Sequence, residues 1–392
     1  MTAQRARHAP GPLALYDRWL MGAVLGLIIT GLMMVASSSV MVSVKYYHQP
    51  FHFLIRQGCY LAVGLMLALI VVRTDSSFWE KLGVPLLLVC LVMLVLVLIP
   101  GIGRTVNGSR RWLALGPIGI QVSELAKLTM ILYMAGYLVR HQEKVRQSIS
   151  GFLLPMIILS VFAFLLLLEP DFGATVVIAS TTMAMLFLAG VKLRYYAGLV
   201  IIVLVSLAVL AVSSPYRMAR LTAFLDPWAD QFDTGYQLTQ SLIAFGRGGW
   251  FGTGLGDSVQ KLFYLPEAHT DFLFAVLAEE LGLAGVLVVM TLYSILVGRG
   301  LKIGRDALES ERFFAAWTAF GLTFWLGMQA VVNMGVNAGL LPTKGLTLPF
   351  MSYGGASMVV NCVVVALLLR IDHENRWLSL GLGRPASQRG HG

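Results

Sequence analysis

From residue 20 onward the chain repeats one pattern, an apolar run of about 20 residues followed by a short polar or Gly/Pro-bearing break. Uncharged runs of that length predict membrane-crossing helices rather than strands or buried soluble helices. Ten are read, over 20–40, 54–72, 82–100, 122–138, 152–168, 174–190, 196–212, 272–297, 314–333 and 351–369. The predicted fold class is all-α: a polytopic membrane protein with ten transmembrane helices and a long extracytoplasmic loop between helices 7 and 8. An even number of crossings puts both termini on one side.

Charge orients the chain. The side holding the termini would carry eighteen Lys and Arg and the opposite side nine, which places both termini in the cytoplasm. The organisation read is a cytoplasmic N-terminal tail 1–19, a transmembrane domain 20–369 that includes extracytoplasmic loop 213–271, and a cytoplasmic C-terminal tail 370–392. Loop 213–271 is far longer than an ordinary connection, so function is expected to concentrate there. Within it, Leu238, Leu242 and Phe245 fall at helical spacing and predict a short amphipathic helix, Tyr236 to Phe245, lying on the bilayer surface. The glycines from Gly246 to Gly256 are spaced loosely like a dinucleotide loop, but no strand precedes them and nucleotide binding is not expected.

Composition excludes a soluble globule. Of 392 residues 57% are hydrophobic and 12% charged, about half the charged fraction usual in soluble domains. The net charge of +9 lies in clusters between apolar runs, not along one basic face, which argues against a nucleic-acid partner. Cys59, Cys90 and Cys362 sit inside apolar runs and read as packing residues.

Ionisable groups at membrane depth are costly and mark pairs or sites. Asp271 stands where the long loop enters the eighth helix, with Glu267 and His269 just before it and Phe272 to Leu277 beyond. Such surroundings raise a carboxylate's pKa and make it a better base, while a helix N-cap is the plainer reading. Glu124 and Lys127, near Gln121 and Ser123, are three apart and share a face, either as a mutually neutralising pair or as a site. Glu169-Pro170-Asp171-Phe172-Gly173 reads first as a tight turn, though its acids could face a common cavity. Pro342-Thr343-Lys344-Gly345, with Pro349 and Ser352-Tyr353-Gly354-Gly355, implies irregular backbone, which membranes accept only where it is buried or lines a cavity. Glu279 and Glu280 are adjacent on a helix, so they cannot both face where Asp271 faces, and neither is assigned a catalytic role. Arg110, Arg111, Arg217, Arg220, Arg247 and Lys261 form an external set of cations suited to a diphosphate, to lipid headgroups or to loop carboxylates.

Six segments in order along nearly the whole chain are similar to the SEDS family of bacterial cell-wall polymerases. They are Asn107-Gly108-Ser109-Arg110-Arg111-Trp112, Gln121 to Lys127, Glu169 to Gly173, Leu265 to Phe272, Ala278 to Gly282 and Leu341 to Pro349. Ala268, Lys344 and the Ser352–Gly355 segment resemble the division branch of that family more than the elongation branch. The resemblance implies a peptidoglycan glycosyltransferase that polymerises lipid II at the outer face of the cytoplasmic (inner) membrane. It implies an FtsI-like class B penicillin-binding protein as transpeptidase partner, docked near helices 8 and 9, among other divisome proteins. Asp271 is carried over as the essential acid; the substrate-binding candidates read from the sequence are Arg110, Arg111, Glu124, Lys127, Asp171, Glu267, His269, Lys344 and Ser352.

A lipid diphosphate leaves as a ready anion, so one base and one anion-stabilising site would suffice, and a protonating acid is less needed than in glycoside hydrolysis. Arg110, Arg111 or a divalent cation, Mg or Mn, held near Asp171 and Glu267, would stabilise that anion. Two other classes fit parts of the pattern: a lipid II flippase or transporter, and a non-catalytic divisome scaffold.

Overall fold

The computed structural model describes residues 16–106, 109–115, 118–212, 218, 222, 224–343 and 345–380. In chain order it runs α1 (Arg18–Tyr47), α2 (His52–Arg73), α3 (Ser76–Leu98), then β1 (Gly103–Val106), β2 (Ser109–Leu115) and β3 (Ile118–Gln121). The helices resume with α4 (Val122–Arg140), α5 (Gln142–Gln147), α6 (Ile149–Leu168), α7 (Phe172–Leu188) and α8 (Leu193–Val212). Last come α9 (Tyr236–Gly248), α10 (Leu273–Glu309), α11 (Phe313–Asn337) and α12 (Gly355–Ser379). Each of the ten predicted ranges overlaps a helix, although 82–100, 174–190, 272–297 and 351–369 run one to four residues past a helix end. Eight helices among the described residues (α1, α2, α3, α4, α6, α10, α11 and α12) are long and apolar enough to cross a membrane, and α7 is a shorter apolar helix.

The protein is mostly helical because hydrocarbon offers backbone groups no partner, and a helix satisfies its own. α4 lies at the centre, buried along nearly its whole length and packed on α3, α7 and α11. α2 shows most of its surface outward and packs on α12. The all-α expectation needs one correction. The connection between α3 and α4 folds as a three-stranded antiparallel sheet in the order β1-β2-β3, with Trp112 opposite Gln121 and Arg110 opposite Thr105. Strands this short, carrying two adjacent arginines, give too little alternation to be read from the sequence.

α10 is broken at Gly282, whose backbone is non-helical at φ 64° and ψ −164°. The break leaves carbonyl and amide groups without helical partners, and the glycine-rich loop supplies them. Thr253 and Gly254 donate to the carbonyls of Glu279 and Glu280 at 2.9 and 3.1 Å, while Leu283 and Ala284 donate to those of Gly249 and Trp250 at 2.9 and 3.1 Å. The glycine run is thus a backbone seam, a role its spacing does not advertise.

α9 exists where the amphipathic pattern placed it, but its apolar face is turned onto the protein itself. Leu238 and Ala244 are buried, Phe245 packs on Phe274 at 5.9 Å between ring centroids, and Ser241 donates to the Asn337 carbonyl at 2.7 Å. Its apolar face therefore rests on α10 and α11. Among the cysteines, Cys90 and Cys362 are buried as expected and Cys59 is exposed on α2.

At the opposite end of the bundle, Asp17 pairs with Arg299 and Arg376, and Glu374 with Arg312 and Arg370. Residues 17 and 376 therefore stand together at one end, although most of the chain separates them.

Candidate active site

Asp271 ends the long loop two residues before α10, half-buried. It is not the helix cap: the N-cap is Phe272, with no side-chain cap hydrogen bond. The first turn of α10 is served from α11, where Asn337 Oδ1 accepts the Ala275 N–H at 3.1 Å. Asn333 Nδ2 and Asn337 Nδ2 both donate to the Asp271 carbonyl at 2.9 Å, and Asn333 Nδ2 also reaches the Leu346 carbonyl at 2.6 Å. The main chain of Asp271 is pinned, while its carboxylate accepts no hydrogen bond among the described residues.

Three other segments converge on that carboxylate. A Cβ on Gly345 would stand 2.9 Å from Asp271 Oδ2, so glycine there lets the 345–346 backbone approach closely. Gly173 at the start of α7 packs against Gly345 and Leu346 in turn. The turn reading of the α6–α7 corner holds, since Asp171 Oδ1 accepts the Ala174 N–H at 3.1 Å and caps α7. Its Oδ2 is buried without a hydrogen bond among the described residues, as are both carboxyl oxygens of Glu169. Arg111 on β2 grips this corner, donating from Nε to the Glu169 carbonyl at 3.2 Å and from Nη2 to that of Pro170 at 2.6 Å. Carbonyls orient the guanidinium without neutralising it.

The electrostatics follow from this crowding. Burial, then the negative charge of Glu267, push the Asp271 carboxyl up to about 7; Asp171 adds to the rise and Arg111 opposes it. Burial and the neighbouring Asp171 push Glu169 up to about 8, so it is mostly a neutral acid at pH 7. Glu267 itself is exposed and accepts from the Thr270 hydroxyl at 2.7 Å. Burial lowers the pKa of His269, whose ring packs on Phe53 and Tyr353 with centroids 4.6 and 5.8 Å apart.

The structure thus brings together Asp271, Arg111, Asp171 and Glu267 from the predicted set. It places others elsewhere. Lys127 and Glu124 form a buried ion pair at 2.9 Å; Lys127 also donates to Gln329 at 2.8 Å and lies over the Trp325 ring, so the paired reading is the one realised. The Ser352 hydroxyl accepts the Leu348 N–H at 2.9 Å and shapes the turn before α12. Arg110 donates to the Leu98 carbonyl at 2.9 Å. Arg247 and Lys261 pair with Glu279 and Glu280 at 3.2 and 2.7 Å, so the adjacent glutamates do take separate partners. Lys344, Arg217 and Arg220 lie outside the described residues. No three His, Cys, Asp or Glu side chains among the described residues come together to hold a metal ion. A divalent cation at Asp171 and Glu267 would have to be completed by substrate phosphate oxygens rather than by a third such side chain among the described residues.

A family model described as "Cell cycle protein", for FtsW, RodA and SpoVE, matches residues 18–377. The chain belongs to the FtsW/RodA/SpoVE family. It is 75% identical over 379 residues to the probable peptidoglycan glycosyltransferase FtsW of Legionella pneumophila, covering 97% of this chain and 96% of that one. It is 55% identical over 359 residues to the protein of the same description from Coxiella burnetii, at 92% and 96% coverage. Among solved structures, one chain described under "Structural coordination of polymerization and crosslinking by a peptidoglycan synthase complex" matches at TM-score 0.74 and 30% identity, over 92% of this chain and 98% of that one. The rod shape determining protein RodA of Thermus thermophilus matches at TM-score 0.68 and 29% identity, over 93% and 99%.

In this FtsW/RodA/SpoVE member, reading the sequence for charges missed Gln329, Asn333 and Asn337. They stand four residues apart on one face of α11, the spacing that stacks side chains along a helix. Three amides repeated at that interval in an apolar helix are a signal in themselves, because each buried amide needs partners.

Proposed function

We propose that this multi-pass membrane protein is a peptidoglycan glycosyltransferase that polymerises lipid II at the outer face of the cytoplasmic membrane during cell division. The observation that carries the reading is the Asp271 carboxyl: half-buried, raised to about 7, and accepting no hydrogen bond among the described residues while Asn337 caps the helix that follows. A carboxylate of that pKa is well matched to general-base work near neutral pH. Asp271 takes the proton from the acceptor sugar hydroxyl as its oxygen attacks the donor's anomeric carbon. The bond to the lipid diphosphate breaks as the glycosidic bond forms, with inversion, and the electron pair leaves on the diphosphate. The Arg111 guanidinium, held by the carbonyls of Glu169 and Pro170, supplies positive charge to that leaving group.

Ten crossings complete the topology, with α7 and α8 joining the eight longer apolar spans. The meeting of Asp17 with Arg376 supports termini on one side, and the excess of Lys and Arg there supports the cytoplasm. The partner is an FtsI-like class B penicillin-binding protein lying against the outward apolar faces of α10 and α11, among them Leu287, Val288, Met328 and Val331. The solved neighbour from a peptidoglycan synthase complex supports that assembly.

Vesicles carrying lipid II on one leaflet, scored for both glycan and leaflet exchange, test the function. Glycan without exchange is expected. Exchange without glycan would make the protein a flippase, and neither, even with the partner present, a scaffold.

A further inference from the structure

The first turn of any helix leaves N–H groups unsatisfied, and an aspartate just before it is the residue best suited to take them. Asp271 stands there and does not. Asn337, fully buried on α11, accepts the Ala275 N–H through Oδ1 at 3.1 Å and donates through Nδ2 to the Asp271 carbonyl at 2.9 Å. The amide can be oriented only this way, because the Ala275 N–H only donates and the Asp271 carbonyl only accepts.

Resting on the proposed function above, we infer that Asn337 is a positioning residue that caps α10 from the neighbouring helix and so keeps the Asp271 carboxylate out of the cap and available to substrate. Asn333 shares the work of pinning, since its Nδ2 ties the Asp271 carbonyl to the Leu346 carbonyl and holds the 345–346 segment beside the carboxylate. Two amides one helical turn apart thereby fix both the chain that carries the base and the wall next to it.

Without Asn337 the Ala275 N–H keeps only its shared, 3.1 Å bond to the Phe272 carbonyl, and the Asp271 carboxylate, four residues before it, is drawn toward the first turn to replace the lost acceptor. Hydrogen bonding to the ionised carboxylate favours that form and lowers its pKa, and the carboxylate turns from substrate to helix. Loss of packing alone would lower the folded fraction and leave the titration midpoint where it was.

The test follows the Asp271 carboxyl directly, by infrared titration of full-length protein labelled with ¹³C-carboxyl aspartate, the band assigned by its loss in Asp271→Asn. Lipid II polymerisation across the same pH range is recorded beside it. In Asn337→Ala the midpoint is expected to fall by at least about one pH unit, with kcat down about tenfold or more and KM little changed. In Asn333→Ala the cap survives, so the midpoint stays within about 0.3 unit while kcat falls. Asn337→Asp keeps the volume and the acceptor for Ala275 and adds negative charge, so its midpoint is expected to rise; it decides the matter should the alanine variant not fold. An unchanged midpoint in folded Asn337→Ala, or an unchanged or lower one in folded Asn337→Asp, overturns the inference. Wild-type protein that titrates as described but makes no glycan would instead overturn the proposed function and leave the capping role standing.

Discussion

Gly252 and Gly282 meet backbone to backbone, with no room for a side chain on either: a Cβ on Gly282 would fall on the Gly252 nitrogen, and one on Gly252 on the Glu280 carbonyl oxygen. Both have positive φ, 80° and 64° respectively, which L side chains rarely adopt. Gly282→Ala should therefore destabilise the protein by at least about 2 kcal/mol, read as a lowered thermal midpoint in detergent. Gly22→Ala, where an added Cβ meets nothing within 4 Å, should be neutral or slightly stabilising. Equal effects at the two positions would contradict the seam.

The Lys127–Glu124 pair yields a prediction of opposite character. Lys127→Ala strands a buried carboxylate and should cost about 3 kcal/mol or more, whereas Lys127→Met with Glu124→Leu should recover much of that loss. A Lys127→Ala protein of wild-type stability with weakened lipid II binding would return the pair to the substrate site.

Polymerisation should follow the ionised form of Asp271. With its carboxyl at about 7, the rate is expected to rise through neutrality and to fall about tenfold per pH unit below it. Glu267 raises that pKa, so Glu267→Gln should move the acid limb to lower pH and retain more activity at acid pH. Arg111 lowers it, so Arg111→Met should move the limb upward as well as reducing kcat. Both limbs staying in place would separate the pH dependence from Asp271.

The membrane-crossing helices were legible because hydrocarbon imposes a length and a composition that no other element shares. Asp271 was legible from its place at a loop–helix junction, and the divergence of Glu279 and Glu280 from the angle between adjacent helical residues. What spacing cannot give is which way a shared face looks: Glu124 and Lys127 are neighbours under either reading, and only the packing of α4 against α11 turns them toward Gln329. Ser352 likewise looked available until the turn to Leu348 took its hydroxyl. Asn333 and Asn337 were passed over because an amide carries no charge to stand out in an apolar run. The sheet around Arg111 rests on strand pairing that a short segment specifies weakly on its own.

Purified Asp271→Asn, supplied with lipid II beside wild type and with the partner present, is the most direct measurement. The substitution keeps the volume and removes the base, so a folded protein that makes no glycan is the expected result. Robust polymer from that variant would contradict the assignment of Asp271 as the group that accepts the proton.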